Sequence, residues 1–248
     1  MCDKQLHYNA NDEFTWKKFR ETLQYANKIG YISMTCNEYF LRKHQTKLDD
    51  KTIIFRADVD RSPKKALEMA KIMAELDIKA TYFFRLHSQY YNLLSFNNLY
   101  ILKRIRSIGF EVGLHSEPID GAYVLNEEPS VIMRKDIAVL NVLLNERIAG
   151  CASHRDNSGL NNLEFWKTHR PEDFGLNYEV YDEKSLGLFQ RSVFISESQL
   201  DRWKVYKNGS LVKGDYRTLR EHLENKHALV YVLVHPFLFR KRHYFEEL

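Results

Sequence analysis

Two aspartates separated by one valine, Asp58-Val59-Asp60, stand just after the apolar run Ile53-Ile54-Phe55. Carboxylates that close repel each other, and burial adds a desolvation cost unless something positive compensates. Either a cation sits between them, or they point apart and Asp60 merely ends a strand; taken alone, such a pair is more often a turn signal. Other proton-moving or metal-binding groups follow apolar runs in the same way: His115 and Glu117 after "FEVGL", His154 and Arg155 after "GCAS", His235 after "VYVLV". A lone histidine is usually a hydrogen-bonded core or surface residue, and His7, His44, His169, His227 and His243 lie in polar stretches that read as solvated. The conjunction is more specific. An Asp/His/His set with an open position is what hydrolytic zinc requires. A metal would also offset the repulsion in the Asp58/Asp60 pair, with one aspartate ligating and the other left as a base.

Such groups converge only if the strand ends share one rim. Residues 52 to 56 read as a strand, and Ser62-Pro63 as the N-cap and first position of a helix that buries Ala66, Met69, Ala70, Met73 and Leu76. "KATYFFR" (79–85) and "FEVGLH" (110–115) are predicted strands, with a helix over 98–108 ended by Gly109 between them. A helix over 130–144 follows. Further strands are expected at 176–181, 192–196 and 228–236, with a helix over 216–226 and an N-terminal helix over 12–26. Alternating strands and helices, with continuous apolar strands, indicate a parallel sheet covered by helices, closed or nearly closed into a barrel. In such architectures the site gathers at the carboxyl ends of the strands.

The 248 residues suffice for one large α/β domain, and 44% hydrophobic with 28% charged residues is the composition of a chain with a sizeable core. The net charge of +4 comes from scattered lysines and arginines largely matched by acids, which argues against nucleic acid as a partner. No apolar run reaches membrane-spanning length, and the opening "MCDKQLHYNANDEF" lacks the apolar core of a secretory signal. Three cysteines without a CxxC pair fit free thiols in a reducing compartment. A cytoplasmic location is the expectation.

The stretch "FRADVDRSPKKALEMAKIMAELDIKATYFFR", followed by "IRSIGFEVGLHSE", resembles the polysaccharide deacetylase (NodB-homology, carbohydrate esterase family 4-like) superfamily, in the branch whose first motif reads Arg-His-Asp-Val-Asp. The resemblance extends more loosely through "SHR" at 153–155, "FISES" at 194–198 and "VLVHP" at 232–236. It implies a distorted (β/α)7 barrel as one domain over 1–248, with a helical segment at about 12–45 and the barrel at about 50–240. It also implies removal of N-acetyl groups from amino sugars with a divalent metal, most often zinc. On this resemblance Asp58 is the catalytic base, Asp60 and His115 are metal ligands, Arg155 orients the base and His235 is the general acid. "FISESQLDRW" resembles the branch's Ser-Asp-Ser stretch, which assigns Glu197, Ser198, Arg202 and Trp203 to the sugar, although ordinary packing explains a tryptophan equally well.

Two positions depart from the family pattern. The second histidine of its H-S/T-x-x-H metal motif falls on Ile119, and the histidine of its Arg-His-Asp falls on Ala57. The third ligand must then come from elsewhere. His154 is the first choice, because neutral imidazole suits zinc. Glu117 is the second, two residues beyond His115 in an extended segment, and is otherwise a substrate-binding candidate. The resulting expectation is a cytoplasmic, zinc-dependent N-deacetylase of a nucleotide-linked or lipid-linked amino sugar in surface-polysaccharide (O-antigen- or capsule-type) biosynthesis. The alternative is a deacetylase-like fold without metal that binds glycan or a partner protein, and a weaker reading keeps the metal but cleaves another C–N amide.

Overall fold

A computed structural model describes residues 13–43, 51–154, 159, 161–199 and 202–241. In chain order it contains α1 (Trp16–Lys28), β1 (Ile32–Met34), α2 (Cys36–Arg42), β2 (Thr52–Val59), α3 (Pro63–Glu75), β3 (Ala80–Phe84), α4 (Phe96–Ser107), β4 (Glu111–Ser116), α5 (Pro118–Leu125), α6 (Pro129–Leu144) and β5 (Gly150–Ser153). After two 3-10 turns come β6 (Tyr178–Glu179), α7 (Leu188–Arg191), β7 (Val193–Gln199), β8 (Arg202–Lys207), β9 (Ser210–Leu211), α8 (Leu219–Glu224) and β10 (Leu229–Val234). The helix starts follow local chemistry. Ser62 caps α3 by accepting the Lys65 N–H, with Pro63 at its first position, and Met69, Ala70 and Met73 face inward.

The strands form one sheet in the order β6-β5-β4-β3-β2-β10-β7-β8-β9. Every pairing from β6 to β7 is parallel; β7, β8 and β9 pair antiparallel. Along one edge β2 pairs with β10 over Thr52–Ala57; along the other it pairs first with β1 (52–54) and then with β3 (55–59). An eight-residue strand thus carries three parallel neighbours, and all its residues are buried. Its alternation sorts the side chains: Ile53, Phe55, Ala57 and Val59 join the large core under the helices. Ile54 joins a second cluster with Phe83, Tyr178 and Tyr231, and Arg56 and Asp58 lie in the same alternating set.

This is the α/β architecture expected from the strand–helix alternation and from the deacetylase resemblance, with the sheet left open between β6 and β9 among the described residues. The first half matches the sequence reading to within a few residues. In the second half, 176–181 yields only Tyr178–Glu179, and the helix expected over 216–226 is Leu219–Glu224. The β8–β9 extension, the helix α5 and the strand β1 inside the N-terminal segment were not anticipated. Gly113 and Gly150 let the central strands approach closely: a Cβ on Gly113 would stand 2.6 Å from the Phe83 ring, and one on Gly150 2.2 Å from the Tyr178 ring. Among the described residues no helix is long and apolar enough to cross a membrane.

Candidate metal centre

The carboxyl ends of β2, β4, β5 and β10 deliver Asp58 and Asp60, His115, His154 and His235 to one place. His115 Nε2 lies 3.2 Å from Asp58 Oδ2 and 3.4 Å from Asp60 Oδ1. His154 Nε2 is 3.9 Å from the same Asp60 Oδ1, and His235 Nε2 is 3.6 Å from Asp60 Oδ2. One ligand atom each from Asp60, His115 and His154 all fall within 4.8 Å of one another. For comparison, donor atoms bound at about 2.1 Å to a tetrahedral ion lie about 3.4 Å apart.

The protons on these rings can be assigned from their partners. His115 Nδ1 is 2.8 Å from the carbonyl of Ala152, which can only accept, so Nδ1 carries a hydrogen. Burial holds the pKa of this ring below the ordinary histidine value, against the pull of Asp58 and Asp60, so the ring is neutral. Its Nε2 therefore turns a bare lone pair toward two carboxylates. Asp60 Oδ1, itself buried, has no hydrogen-bond partner among the described residues. A cluster of lone pairs without a hydrogen between them is unfavourable by itself and complementary to a cation. The residues fit a divalent ion, and this donor set suits zinc.

Asp58 is held differently. Arg56, two residues earlier on the same strand face, donates Nε–H to Oδ1 at 2.8 Å and Nη2–H to Oδ2 at 2.7 Å. Both side chains are almost fully buried, 1% and 2% exposed. Burial alone would raise the Asp58 pKa; the Arg56 guanidinium outweighs it and holds the carboxyl down at about 2. The guanidinium also lies 4.8 Å from the Tyr181 ring centroid, which lines its pocket. Arg56 thus holds Asp58, and Arg155, expected to orient that base, lies outside the described residues. The signal for it was present in the sequence, since Arg56, Asp58 and Asp60 share one strand parity.

Three residues expected to bind substrate do other work. Glu117 is 3% exposed and accepts from Arg85 Nε and Nη2, at 3.1 and 2.6 Å. Its Oε1 also lies 3.2 Å from His154 Nδ1. Burial opposes its charge, but His154 and Arg85 prevail and bring its pKa to about 2. Glu117 is therefore not an open sugar contact: it lies behind His154, and with Asp120 and His154 it forms a second group whose ligand atoms could hold a metal ion. Glu197 is fully buried, with Oε2 accepting the His235 backbone N–H at 3.1 Å and lying 3.2 Å from its Nδ1. It positions His235. Trp203 is 4% exposed, donates its indole N–H to Glu13 at 3.0 Å and packs against Phe14. It is a core residue, as the alternation of Trp203 and Val205 with Arg202 and Lys204 along β8 requires. Arg202 is exposed, with its guanidinium 5.5 Å from the Tyr216 ring centroid, and the Ser198 side chain lies outside the described residues.

Sequence reasoning also missed the residues that fix the rim. Ile119, where the family pattern has its second histidine, has its backbone N–H bonded to Asn162 Oδ1 at 2.9 Å, and the Asn162 amide donates to the carbonyl of His154 at 3.1 Å. The segment that lost a ligand is thereby tied to the segment that brings one. Tyr91 Oη donates to the carbonyl of Val59, and Ser88 Oγ to that of Asp60, which pins the end of β2 to the loop after β3.

His235 has its pKa raised to about 9: burial lowers it, but the charge and hydrogen bonding of Glu197, with Asp58 and Asp60, override the burial. The cluster thus brings three imidazoles and two aspartates within a few ångströms of one another. It can accept a proton at Asp58, donate one from His235 and hold a cation between them.

No family model matches the chain. No curated protein matches it. Solved structures similar to it include a deacetylase from Streptococcus pyogenes, determined with acetate, at 17% identity and a TM-score of 0.44, covering 59% of this chain and 65% of that one. The chain thus spans a little under two thirds of that protein. A CE4-family pseudoenzyme from Bacillus anthracis matches at 16% identity and 0.41, covering 77% and 56%. A polysaccharide deacetylase from Bacillus cereus matches at 15% identity and 0.43, covering 79% and 92%.

Proposed function

We propose that this chain is a metal-dependent N-deacetylase acting on an amino-sugar intermediate of surface-polysaccharide biosynthesis. One observation carries the reading: Asp60 Oδ1, buried and without a hydrogen-bond partner among the described residues, faces the Nε2 atoms of His115 and His154. Asp60, His115 and His154 would hold the ion, zinc being the best match to one carboxylate and two imidazoles. When bound, such an ion supplies Lewis acidity, acidifying water toward neutrality and polarising an acetamide carbonyl. Asp58 is the proton acceptor. Arg56 keeps it ionised and aimed at the site. His235, steadied by Glu197, donates a proton to the departing amine. Each of the two proton carriers thus has a second residue that fixes its direction, Arg56 for Asp58 and Glu197 for His235, and the Glu117–Arg85 pair stands behind the ligand His154.

The substrate we propose is a nucleotide-linked or lipid-linked amino sugar, handled in the cytoplasm. The free, buried thiols of Cys36 and Cys151 agree with a reducing compartment. Elemental analysis of protein purified without chelator or metal-affinity tag tests the reading, with His154→Ala in parallel. The wild type should carry close to one divalent ion per chain and release acetate from an N-acetylated sugar, and His154→Ala should lose most of the ion. A wild-type protein that takes up no zinc, manganese or cobalt even when they are supplied favours the metal-free binding module instead.

A further inference from the structure

Arg61 directly follows Asp60 and is exposed, yet its guanidinium is held between two aromatic rings: Cζ lies 4.6 Å from the Tyr90 centroid and 4.6 Å from that of Phe237. Both rings come from the rim of the site. Tyr90 belongs to the loop after β3 that Ser88 fastens to the carbonyl of Asp60, and its backbone N–H bonds to Ser88 Oγ. Phe237 follows β10, with its ring 6.0 Å from that of His235. Among the described residues no carboxylate pairs with Arg61. Long cationic side chains at a surface ordinarily extend into water, and ordering one has an entropic cost. Aromatic rings against the guanidinium leave its N–H edges free, so the donors point outward in the fixed fork that fits a carboxylate or phosphate bidentately.

We propose that Arg61 is a specificity-determining residue that receives an oxyanion of the substrate beside the Asp60/His115/His154 cluster. The oxyanion is either the phosphate joining the sugar to its carrier or a carboxylate on the sugar itself. The proposal rests on the deacetylase reading for what is bound and adds why a neutral sugar binds less well. A cleft of about 850 Å³ begins at the next residue, Ser62, and among the described residues Lys64 and Lys71 line it beside one acid, Glu68. Its basic wall suits the remainder of an anionic carrier, which makes the linking phosphate the favoured source.

The test is calorimetric binding of N-acetylglucosamine 1-phosphate, N-acetylglucosaminuronate and N-acetylglucosamine to the metal-loaded protein, with acetate release measured in parallel. Wild type, Arg61→Gln and Arg61→Lys are compared. The wild type should bind at least one of the two anions about 10- to 100-fold more tightly than the neutral sugar, as loss or gain of a charge-assisted pair predicts. Arg61→Gln should abolish that preference with metal content and neutral-sugar binding unchanged, and Arg61→Lys should restore part of it. Preference for the 1-phosphate identifies the carrier linkage, and preference for the uronate identifies a sugar carboxylate. An anion preference that depends on Arg61 without any acetate release would leave this inference standing and remove the deacetylase reading. No binding of either anion, or equal weakening of all three ligands in Arg61→Gln, as expected of a residue that merely joins two loops, overturns it.

Discussion

The two sides of the sheet use polar residues in opposite ways. From β2 to β5, buried charges gather at the strand ends and face one another: Asp58 with Arg56, Glu117 with Arg85, and His115 and His154 with Asp60. Beyond β7, whose Glu197 still serves the rim through His235, the sheet turns antiparallel across β8 and β9, and Trp203 and Val205 point into the core beneath the N-terminal segment. Its buried carboxylate there, Glu13, serves a tryptophan rather than a rim group. Parallel strands with crossover helices place all their carboxyl ends together, whereas an antiparallel hairpin alternates its ends and gathers no such rim. Substitutions on the first side should therefore change chemistry, and substitutions on the second should change stability.

The sharpest division falls within the pair Asp58 and Asp60. Asp60→Asn should lose both the ion and all measurable deacetylation. Asp58→Asn should keep the ion and drop kcat by about 10²- to 10⁴-fold, since asparagine keeps the shape but cannot accept a proton. Metal content and turnover of the two variants, measured side by side, decide it; equal metal loss in both would contradict the separate roles.

Arg56 is expected to affect both properties. Arg56→Met should destabilise the fold by about 3–5 kcal/mol in urea titrations, because it leaves the Asp58 charge buried without a partner. The double variant Arg56→Met/Asp58→Asn should recover much of that stability while staying inactive. A single variant within 1 kcal/mol of wild type would mean that water, not Arg56, solvates Asp58.

On the hairpin side, burial raises the Glu13 carboxyl from 4.5 to about 7, opposed only in part by the Trp203 hydrogen bond. A carboxyl with a raised folded-state pKa binds its proton more tightly when native, so stability falls as pH rises from about 4.5 to about 7. Glu13→Gln should flatten that slope and leave the variant more stable than wild type at pH 8, by on the order of 2 kcal/mol. Deacetylation should be unaffected. A slope unchanged in Glu13→Gln would assign it to another group.

The smallest effect is expected from Trp203→Phe, which removes the hydrogen bond to Glu13 and little else. It should lower stability by about 1 kcal/mol and leave KM for the sugar unchanged. A rise in KM would return Trp203 to the substrate side and break the contrast between the two halves.

Legibility followed the same division. The strand β2, the Ser62-Pro63 helix start and the polar residues at the ends of β2, β4, β5 and β10 could be read from the chain, because strand parity, capping and apolar runs are local in origin. The deacetylase resemblance added an order to these residues and also misdirected. It placed Trp203 and Glu197 on the sugar, where local alternation at β8 alone argued for Trp203 in the core. The Arg56–Asp58 pair was equally legible by strand parity. The residue types and their positions after strands are thus determined by the sequence itself. Which carboxylate meets which base was decided only by tertiary structure. That Glu117 turns to Arg85 and His154, that Glu197 holds His235, and that Asn162 ties Ile119 to His154 depend on strands brought side by side from distant parts of the chain, and on buried charges that persist only where a partner from another strand lies within hydrogen-bonding reach.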